Sequence, residues 1–197
     1  MKVALLVFSG VEELDLVGFL EVLAVANRVM GLKEFDMRLV SLDPGPVECS
    51  GGLKILPTSS LTDLKGADVV FVPGGGAGRG TGVDPLLDDA AILESLRNAF
   101  SEGKMVWSVC TGALVLGKAG LLKGRKATTH HAYLKKLKNY GAKVQENQRV
   151  VVDGRITTGG GISSSVDVGL ELVRRTLGPR IASEVGRRME YPSKKQR

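Results

Sequence analysis

The residues best suited to chemistry in this chain surround one cysteine, Cys110, at the end of a short apolar run. Ser108 lies two positions before it and Gly112 two positions after it, in the order Ser-Val-Cys-Thr-Gly. A nucleophile elbow requires small residues at both places, because a sharp turn from strand to helix crowds its own neighbours. Such a turn presents its central side chain at a helix N-terminus, where the helix dipole favours a reactive thiolate. The alternative is that Cys110 is a small buried hydrophobic residue, which is the usual state of a free cysteine.

A cysteine nucleophile also needs a group that handles protons and donors for the developing negative charge. The N–H groups of Thr111 and Gly75 are candidate oxyanion donors, since elbows commonly use the residue after the nucleophile and a second loop. The candidate acids and bases are Asp15, Glu12, Glu13, Glu21 and His130. An acid at the start of a helix often serves only that helix, and a histidine beside another histidine is often structural. Spacing alone does not choose among these residues.

Apolar runs of strand length alternate along the chain with longer segments of helical period. Strands are predicted at Lys2–Phe8, Phe35–Leu42, Ala67–Val72 and Lys104–Val109, and helices at Leu14–Met30, Leu86–Glu102, from the elbow to about Lys118, and at Ala132–Tyr140, Ser164–Leu177 and Pro179–Met189. Two hairpin-like pairs are predicted, one within Val47–Leu56 and one between Lys143–Gln145 and Arg149–Val152. The alternation predicts a single α/β domain over residues 1–197, with a doubly wound, mostly parallel sheet and helices on both faces.

Ligands of a doubly wound sheet bind beyond the carboxyl ends of its strands. Three features fall at that edge: the run Gly74-Gly75-Gly76, Cys110, and the loop after the first strand with Glu12, Glu13 and Asp15. The glycine run does not complete a dinucleotide fingerprint, but its N–H groups can form an anion nest. The sequence therefore predicts an active site at this edge.

Composition and spacing argue against several other classes of protein. The chain has 197 residues and 43% hydrophobic content, and no apolar stretch approaches the ~20 residues of a membrane span. Its apolar start lacks the cleavage site of a signal peptide. The segment Gly112–Lys118 has P-loop spacing, but Ala119 stands where the magnesium-binding hydroxyl is required. We therefore expect a protein without a membrane segment and without a P-loop.

The cysteines, histidines and basic runs give similar exclusions. Two cysteines, Cys49 and Cys110, cannot form a disulfide framework and are typical of a cytoplasmic protein. With only two histidines besides, no zinc-ligand spacing arises. The formal net charge is +6, and basic residues gather at 135–138 and 194–197. Because no recognition helix or aromatic platform accompanies them, we expect solvated surfaces and no nucleic-acid site.

Several motifs together resemble the ThiJ/PfpI superfamily, and they extend over nearly the whole chain. They are Leu-Asp-Leu-Val-Gly at 14–18, Val-Pro-Gly-Gly at 72–75, the elbow and its helix at 108–117, Ala-Gly-Leu-Leu at 119–122, Ala-Thr-Thr-His at 127–130, Thr-Gly-Gly-Gly-Ile at 158–162 and Glu-Tyr at 190–191. The resemblance implies a flavodoxin-like fold, related to class I glutamine amidotransferases, with a cysteine nucleophile elbow.

Within the superfamily, Cys-Thr-Gly at the elbow and Leu-Asp-Leu-x-Gly near the start resemble the isonitrile hydratase branch. There the residue that matches Cys110 is the nucleophile and the one that matches Asp15 is the acid/base. His130 matches a histidine that lies near the cysteine in several branches. Protease-like members have His in place of Thr111, and glyoxalase- and deglycase-like members have Glu in place of Asp15. Phe19 and His131 depart from the hydratase pattern, which usually has Pro and often Trp there.

The resemblance implies a hydro-lyase that adds water to a small isonitrile and gives an N-substituted formamide, without cofactor or metal. It also implies a homodimer. Relatives in this branch include proteins fused to AraC-type DNA-binding domains, but no helix-turn-helix pattern follows here. Two alternatives stay open. One is glyoxalase- or deglycase-type chemistry on small 2-oxoaldehydes, and the other is a non-enzymatic stress or redox dimer in which Cys110 oxidises reversibly.

Overall fold

The computed structural model of the protein describes residues 1–41, 45–77 and 80–192. The basic run at 194–197 and the predicted strand end at Leu42 lie outside these residues. The strands are β1 (Lys2–Leu6), β2 (Asp36–Ser41), β3 (Val47–Glu48), β4 (Lys54–Ile55), β5 (Ser59–Ser60), β6 (Val69–Val72), β7 (Met105–Ser108), β8 (Lys126–Ala127), β9 (Lys143–Val144), β10 (Val150–Asp153) and β11 (Ile156–Gly159). The helices are α1 (Glu13–Met30), α2 (Asp84–Asp88), α3 (Ala90–Ser101), α4 (Gly112–Lys118), α5 (Leu134–Asn139), α6 (Ser164–Leu177) and α7 (Pro179–Arg188), with 3₁₀ turns at Leu61–Gly66 and His131–Tyr133.

The central sheet has the strand order β10-β11-β7-β6-β1-β2-β5. Each neighbouring pair in it is parallel except β10 with β11. The five parallel core strands lie in the spatial order β2-β1-β6-β7-β11. Numbered along the chain this order is 2-1-3-4-5, as in flavodoxin-like sheets. The predicted α/β class and doubly wound parallel sheet are confirmed.

The middle of the sheet is apolar because helices cover it. All four residues of β6 are buried, as expected for a parallel strand covered on both faces. One group of packed helices consists of α1, α6 and α7, and another of α2, α3 and α4. The ring of Phe19 on α1 stacks on Phe71 of β6, with the ring centroids 3.8 Å apart. The core therefore fixes where the first turn of α1 lies relative to the strand ends.

Close packing of α1 on α6 depends on two glycines. A Cβ atom at Gly18 would lie 2.3 Å from Oγ of Ser165, and one at Gly169 would lie 2.8 Å from Cβ of Val22. Both distances are shorter than side-chain contacts allow, so the two helices approach as closely as they do only because these side chains are absent. This contact holds the N-terminal turns of both helices beside the predicted site.

Two predicted helices are corrected by the structure. The helix predicted at Leu86–Glu102 is divided at Asp89, which has an extended backbone (φ −82°, ψ 105°) and whose side chain accepts a hydrogen bond from N of Ile92 at 2.9 Å. An aspartate at this position caps the start of α3 and thereby separates it from α2. The segment predicted as helix Ala132–Tyr140 begins with a 3₁₀ turn, and α5 starts only at Leu134.

The two predicted hairpins have different outcomes. The pair within Val47–Leu56 is confirmed, since β3 and β4 are antiparallel with Val47 opposite Ile55. The pairing of Lys143–Gln145 with Arg149–Val152 is wrong. β9 pairs in parallel with β8, and β10 pairs with β11 across a tight turn at Gly154, whose φ is 65°. The polar residues before Arg149 suggested a turn, but the glycine turn lies later in the chain.

Candidate active site

The turn predicted around Cys110 is present, between the end of β7 and the start of α4. Cys110 has a φ of 53°, in the left-handed region that non-glycine residues rarely adopt. Its N–H donates to the carbonyl oxygens of Gly159 at 3.2 Å and Gly160 at 2.7 Å. Its own carbonyl oxygen accepts from Oγ1 of Thr129 at 2.7 Å. These bonds hold an unfavourable backbone conformation in place, as is common at functional sites.

The small residues on either side of the turn are required by contacts that the sequence pattern anticipated. A Cβ atom at Gly112 would lie 2.2 Å from the carbonyl oxygen of Val72 and 2.6 Å from that of Pro73. Ser108 is fully buried. The backbone of the turn is therefore pressed against the end of β6, and a larger residue at position 112 would push them apart.

The Asp15 side chain reaches the elbow from the first turn of α1. It is completely buried, and its Oδ2 accepts from the N–H of Gly74 at 2.8 Å. A Cβ atom at Gly74 would lie 2.6 Å from this oxygen and 2.8 Å from the backbone nitrogen of Thr111. Glycine at position 74 thus allows the carboxyl group and the elbow to meet. Asp15 does not serve only the N-terminus of α1, because its carboxyl group binds another loop.

Burial shifts the pKa values of both groups upward. Burial and, to a smaller extent, the charge of Glu12 raise the pKa of Asp15 to about 7, although the hydrogen bond from Gly74 opposes the shift. Burial also raises the pKa of the Cys110 thiol, and the neighbouring Asp15 charge adds to that effect. Burial therefore opposes the thiolate that a helix N-terminus favours. The N–H of Thr111 lowers the thiol pKa, but the loss of hydration at a site only 6% exposed outweighs it.

The charge of Asp15 raises the pKa of the Cys110 thiol, so the two groups lie close enough to interact, and Oδ1 of the buried carboxyl group has no hydrogen-bond partner among the described residues. Near neutral pH the thiol retains its proton and the carboxyl group is close to half ionised. A carboxylate with a pKa of about 7 is a much better proton acceptor than an ordinary aspartate. The Asp15 carboxyl group is therefore suited to accept a proton from a neighbouring thiol near neutral pH.

Of the two predicted oxyanion donors, Thr111 and Gly75, the structure leaves one. The N–H of Gly75 donates to Oγ1 of Thr111 at 3.0 Å, and that hydroxyl donates to the carbonyl oxygen of Gly75 at 2.7 Å. Because its N–H is already used, Gly75 does not provide the second donor. Gly75 also forms a β-bridge with Val11, so its role is to fasten the loop before Asp15 to the elbow. The N–H of Thr111 lowers the pKa of the Cys110 thiol, and its role as an oxyanion donor stays a prediction.

His130 lies beside the elbow as the neighbour of Thr129. Its Nδ1 accepts from the N–H of Ala132 at 3.3 Å, and its burial lowers its pKa, which favours the neutral ring. A Cβ atom at Gly161 would lie 3.1 Å from Cδ2 of His130. The imidazole is therefore held between its own loop and the loop after β11, and its supporting role at the site stays a prediction.

The remaining acidic candidates are used elsewhere. Glu12 and Glu13 both accept from the Ser50 hydroxyl, and Glu13 also accepts from N of Gly51 at 2.6 Å. Glu21 forms an ion pair with Arg28 at 2.6 Å. Thus Asp15 alone among the candidate carboxylates is buried against Cys110. Sequence reasoning missed Thr129, Gly159 and Gly160 as supports of the turn, although the motifs at 127–130 and 158–162 contain them.

Three further findings concern metal binding, membrane helices and the cysteines. In the ranges 1–41, 45–77 and 80–192, no group of three His, Cys, Asp or Glu side chains is arranged to hold a metal ion. Across the same ranges no helix combines the length and apolarity needed to cross a bilayer. Both cysteines are free and buried.

The strand order and the cysteine turn together define an α/β protein with a flavodoxin-like sheet and an elbow at its carboxyl edge. The chain matches the DJ-1/PfpI family over residues 1–175 and belongs to that family. It is 40% identical over 191 residues to isonitrile hydratase of Pseudomonas putida. The aligned residues cover 97% of this chain and 78% of that protein.

Solved structures agree with this assignment. A ThiJ/PfpI family protein from Pseudomonas syringae is 31% identical and superposes with a TM-score of 0.84, covering 98% of this chain and 75% of that one. Drosophila melanogaster DJ-1beta superposes with a TM-score of 0.85 at 23% identity and covers 98% of both chains. The second comparison shows the shared fold alone.

Proposed function

We propose that this protein is a cysteine-dependent hydratase that adds water to a small isonitrile and releases an N-substituted formamide. The observation that carries the proposal is the buried pair of Cys110 and Asp15, in which the carboxyl pKa is about 7. The 40% identity to an isonitrile hydratase supports the substrate class. Narrow access supports it too, because the terminal carbon of an isonitrile is unhindered and Cys110 is only 6% exposed.

In the first step the Cys110 sulfur attacks the terminal isonitrile carbon and a C–S bond forms. The thiol proton passes to the Asp15 carboxylate and from there to the same carbon, which gives a thioimidate, R–N=CH–S–Cys. The proton that leaves sulfur is thus the one that carbon gains. No oxidant or reductant is required.

In the second step water attacks the thioimidate carbon and gives one proton to the Asp15 carboxylate. Asp15 passes this proton to the nitrogen, which gives the tetrahedral adduct R–NH–CH(OH)–S–Cys. The adduct then expels sulfur, its hydroxyl proton passes through Asp15 to the sulfur, and the products are R–NH–CHO and the regenerated thiol. The N–H of Thr111 stabilises the negative charge that develops on sulfur as the C–S bond breaks. Asp15 therefore acts as base and acid in turn.

The test is formamide release from a small alkyl isonitrile. The reaction is measured by the loss of the isonitrile and the appearance of the formamide. We expect Cys110→Ser to lower the rate by at least about a thousandfold, since it removes the nucleophile. Cys49→Ala is the matched control, because Cys49 is the other buried cysteine and its pKa is raised by its burial and by the charges of Glu13 and Glu12 instead of Asp15. Unchanged turnover in Cys110→Ser would refute the mechanism.

The same preparation separates the alternatives. Lactate formation from methylglyoxal without glutathione, with no formamide from isonitriles, would favour the glyoxalase-type reaction. Oxidation of Cys110 by mild peroxide well before Cys49, with neither turnover, would favour the redox dimer. The raised thiol pKa argues against this last outcome, because oxidation proceeds through the thiolate.

We further propose that the protein acts as a cytoplasmic homodimer. The exposed apolar side chains Leu14, Val17, Leu53 and Ile162 support a second copy as partner. Their segments adjoin one another, since Ser165 donates to the carbonyl of Leu14 at 2.8 Å and Gly51 donates to Glu13. Apolar groups exposed together on one surface commonly mark an interface. Two free cysteines agree with a reducing compartment.

Analytical ultracentrifugation tests the assembly. We expect a species of twice 20.9 kDa for the wild type, and Val17→Lys should shift it toward the monomer because a charge would be buried at the interface. Leu32→Lys is the control, since Leu32 is exposed beyond the other end of α1. A wild-type monomer at micromolar concentration would contradict the dimer.

A further inference from the structure

Arg149 is the centre of a cluster of polar side chains on the far side of the loop that follows β11. Its Nε donates to Oδ2 of Asp167 at 2.7 Å, and its Nη2 donates to Oγ of Ser163 at 3.1 Å and to the hydroxyl of Tyr191 at 3.3 Å. The Tyr191 hydroxyl in turn donates to Oδ2 of Asp167 at 2.9 Å. The Arg149 guanidinium thus connects the residue just before β10 to the start of α6 and to the segment after α7.

The backbone of the same arginine is connected to the nucleophile turn. The carbonyl oxygen of Arg149 accepts from the N–H of Gly160 at 3.0 Å, and the carbonyl oxygen of Gly160 accepts from the N–H of Cys110 at 2.7 Å. Two hydrogen bonds therefore separate Arg149 from the Cys110 amide. The loop from Gly160 to Ser163 is fastened to Arg149 at its first residue by the backbone and at its last residue by the guanidinium.

This loop also forms one side of the site. Gly161 lies against the His130 ring, and its carbonyl oxygen accepts from the N–H of Ser164 at 2.7 Å at the start of α6. A displacement of the loop would move both His130 and the carbonyl group that holds the Cys110 amide. Since the backbone of Cys110 has a φ of 53°, its conformation depends on such outside support.

The arrangement of the cluster is specific to arginine. The planar fork of a guanidinium can bind a carboxylate and two hydroxyls in fixed directions, which the point charge of lysine cannot do. The Arg149 side chain is 43% exposed and that of Asp167 is 14% exposed, so the cluster is not part of the apolar core. An isolated pair at such exposure contributes little to stability. Its contacts with three segments point to positioning instead.

We propose that Arg149, Asp167 and Tyr191 are positioning residues that hold the Gly160–Ser163 loop against the Cys110 amide and so fix the nucleophile for reaction. The consequence for turnover rests on the proposed hydratase function. The structural part does not, because the hydrogen bonds from Arg149 to Gly160 to Cys110 exist whatever the substrate is.

Amide hydrogen–deuterium exchange tests the structural part without any substrate. In Arg149→Gln we expect exchange at least tenfold faster in peptides that cover the elbow, 107–114, and the loop, 156–164. Arg174→Gln is the matched control. It removes two hydrogen bonds to Glu171, at 2.7 and 2.6 Å. This pair lies on α6, the helix that contains Asp167 of the cluster. Unchanged elbow exchange in Arg149→Gln, or equal acceleration in Arg174→Gln, would overturn the proposal.

Kinetics with the isonitrile test the consequence. We expect Arg149→Gln to lower kcat about tenfold with KM within twofold of the wild type, and Arg174→Gln to match the wild type in both. Faster elbow exchange with an unchanged kcat would overturn the positioning role. A wild type that releases no formamide would refute the proposed function, while the exchange experiment would still decide whether the cluster holds the elbow.

Tyr191→Phe guards against loss of folding in the arginine variant, since it removes only one hydroxyl. If Arg149→Gln does not fold, a well-folded Tyr191→Phe protein is expected to show the same acceleration at the elbow to a smaller extent, about threefold. Wild-type exchange at the elbow in that variant would refute the proposal.

Discussion

At the level of single residues, burial decides what Cys110 and Asp15 can do. Hydration normally stabilises both the carboxylate of an aspartate and the thiolate of a cysteine. Burial removes this hydration from both groups here. Desolvation disfavours the charged form of each, so the pair retains one proton over a wide pH range. One proton shared between sulfur and carboxylate is what addition to a neutral electrophile requires, because sulfur must lose it as carbon gains it.

The rate of isonitrile hydration is expected to follow the ionisation of Asp15. Below pH 7 the carboxyl group is protonated and cannot receive the thiol proton, so kcat/KM should rise with pH around a midpoint near 7. No fall is expected until well into the alkaline range, because the thiol pKa is raised. Asp15→Asn should lower kcat/KM by about 10²–10⁴-fold and remove the rise.

Glu21→Gln is the control for this profile, since Glu21 also lies on α1 but pairs with Arg28 at the surface. It should leave both the rate and the midpoint unchanged. A wild-type midpoint near 4, or the same midpoint in Asp15→Asn, would show that another group controls the reaction.

Sequence reasoning reached Cys110 and Asp15 but not their protonation. The small residues at 108 and 112 predicted the turn, and the strand-end rule placed the Asp15 loop at the same edge. The pKa directions depend on how completely α1 covers the pair, which no local pattern contains. The hydrogen bond between Gly75 and Thr111 depends on one side-chain rotamer, and it therefore could not be read from spacing either.

At the level of elements, the site depends on how α1 and α6 meet. Asp15 is one turn before Gly18, and Ser165 follows the loop that supports the Cys110 amide. The same helix contact therefore sets the height of the carboxyl group and of the supporting loop. Helix boundaries with strong apolar period, such as Ser164–Leu177, were predicted as observed. The partner of β10 was not, although β11 follows it directly across the turn at Gly154, because the polar residues before Arg149 suggested a turn at an earlier place in the chain.

Replacing Gly18 with alanine is expected to separate these helices. The added Cβ atom would lie 2.3 Å from Oγ of Ser165, and relief of the overlap should lower the free energy of unfolding by about 1–3 kcal/mol. Urea denaturation measures this change. Hydratase activity should fall as well, since Asp15 would shift with α1.

Gly186→Ala is the matched control within α7. The nearest atom to its added Cβ would be 3.9 Å away, on Leu170, so the change should leave stability equal or higher by up to about 1 kcal/mol. Wild-type stability in Gly18→Ala would mean that the helix contact yields more easily than the distances imply.

At the level of the whole molecule, the buried carboxyl group makes stability depend on pH. The pKa of Asp15 rises on folding from an ordinary 3.8 to about 7, so the folded state binds more protons than the unfolded state between these values. Stability should therefore be lost as pH rises from about 4 to 7 and stay constant above. A rise of this size corresponds to about 4 kcal/mol.

Asp15→Asn measures how much unfolding free energy is lost when the buried carboxyl group ionises. An amide oxygen at position 15 can still accept a hydrogen bond from the N–H of Gly74. The variant and the wild type should be about equally stable below pH 4, and the variant should be more stable above pH 7. Thermal unfolding at pH 4, 5.5, 7 and 8 gives the comparison. A difference that shrinks as pH rises would contradict the raised pKa.

The fold class and the parallel sheet were predictable from the alternation of strands and helices. Residues such as Val69–Val72 could be assigned to a covered strand because they are uniformly apolar. The support given to Cys110 by the loop after β11 was not predictable, because it joins parts of the chain that are remote in sequence. Such contacts are fixed only when the whole sheet is assembled.

The carboxyl group of Asp15 comes from the first strand–helix unit, the thiol from the fourth strand of the parallel core, and the support of the Cys110 amide from the fifth. Only a fragment that spans at least residues 15–160 contains all three. Turnover therefore reports on complete assembly: a compact, helical but unfinished chain would be catalytically silent, and recovered activity during refolding would count native molecules alone.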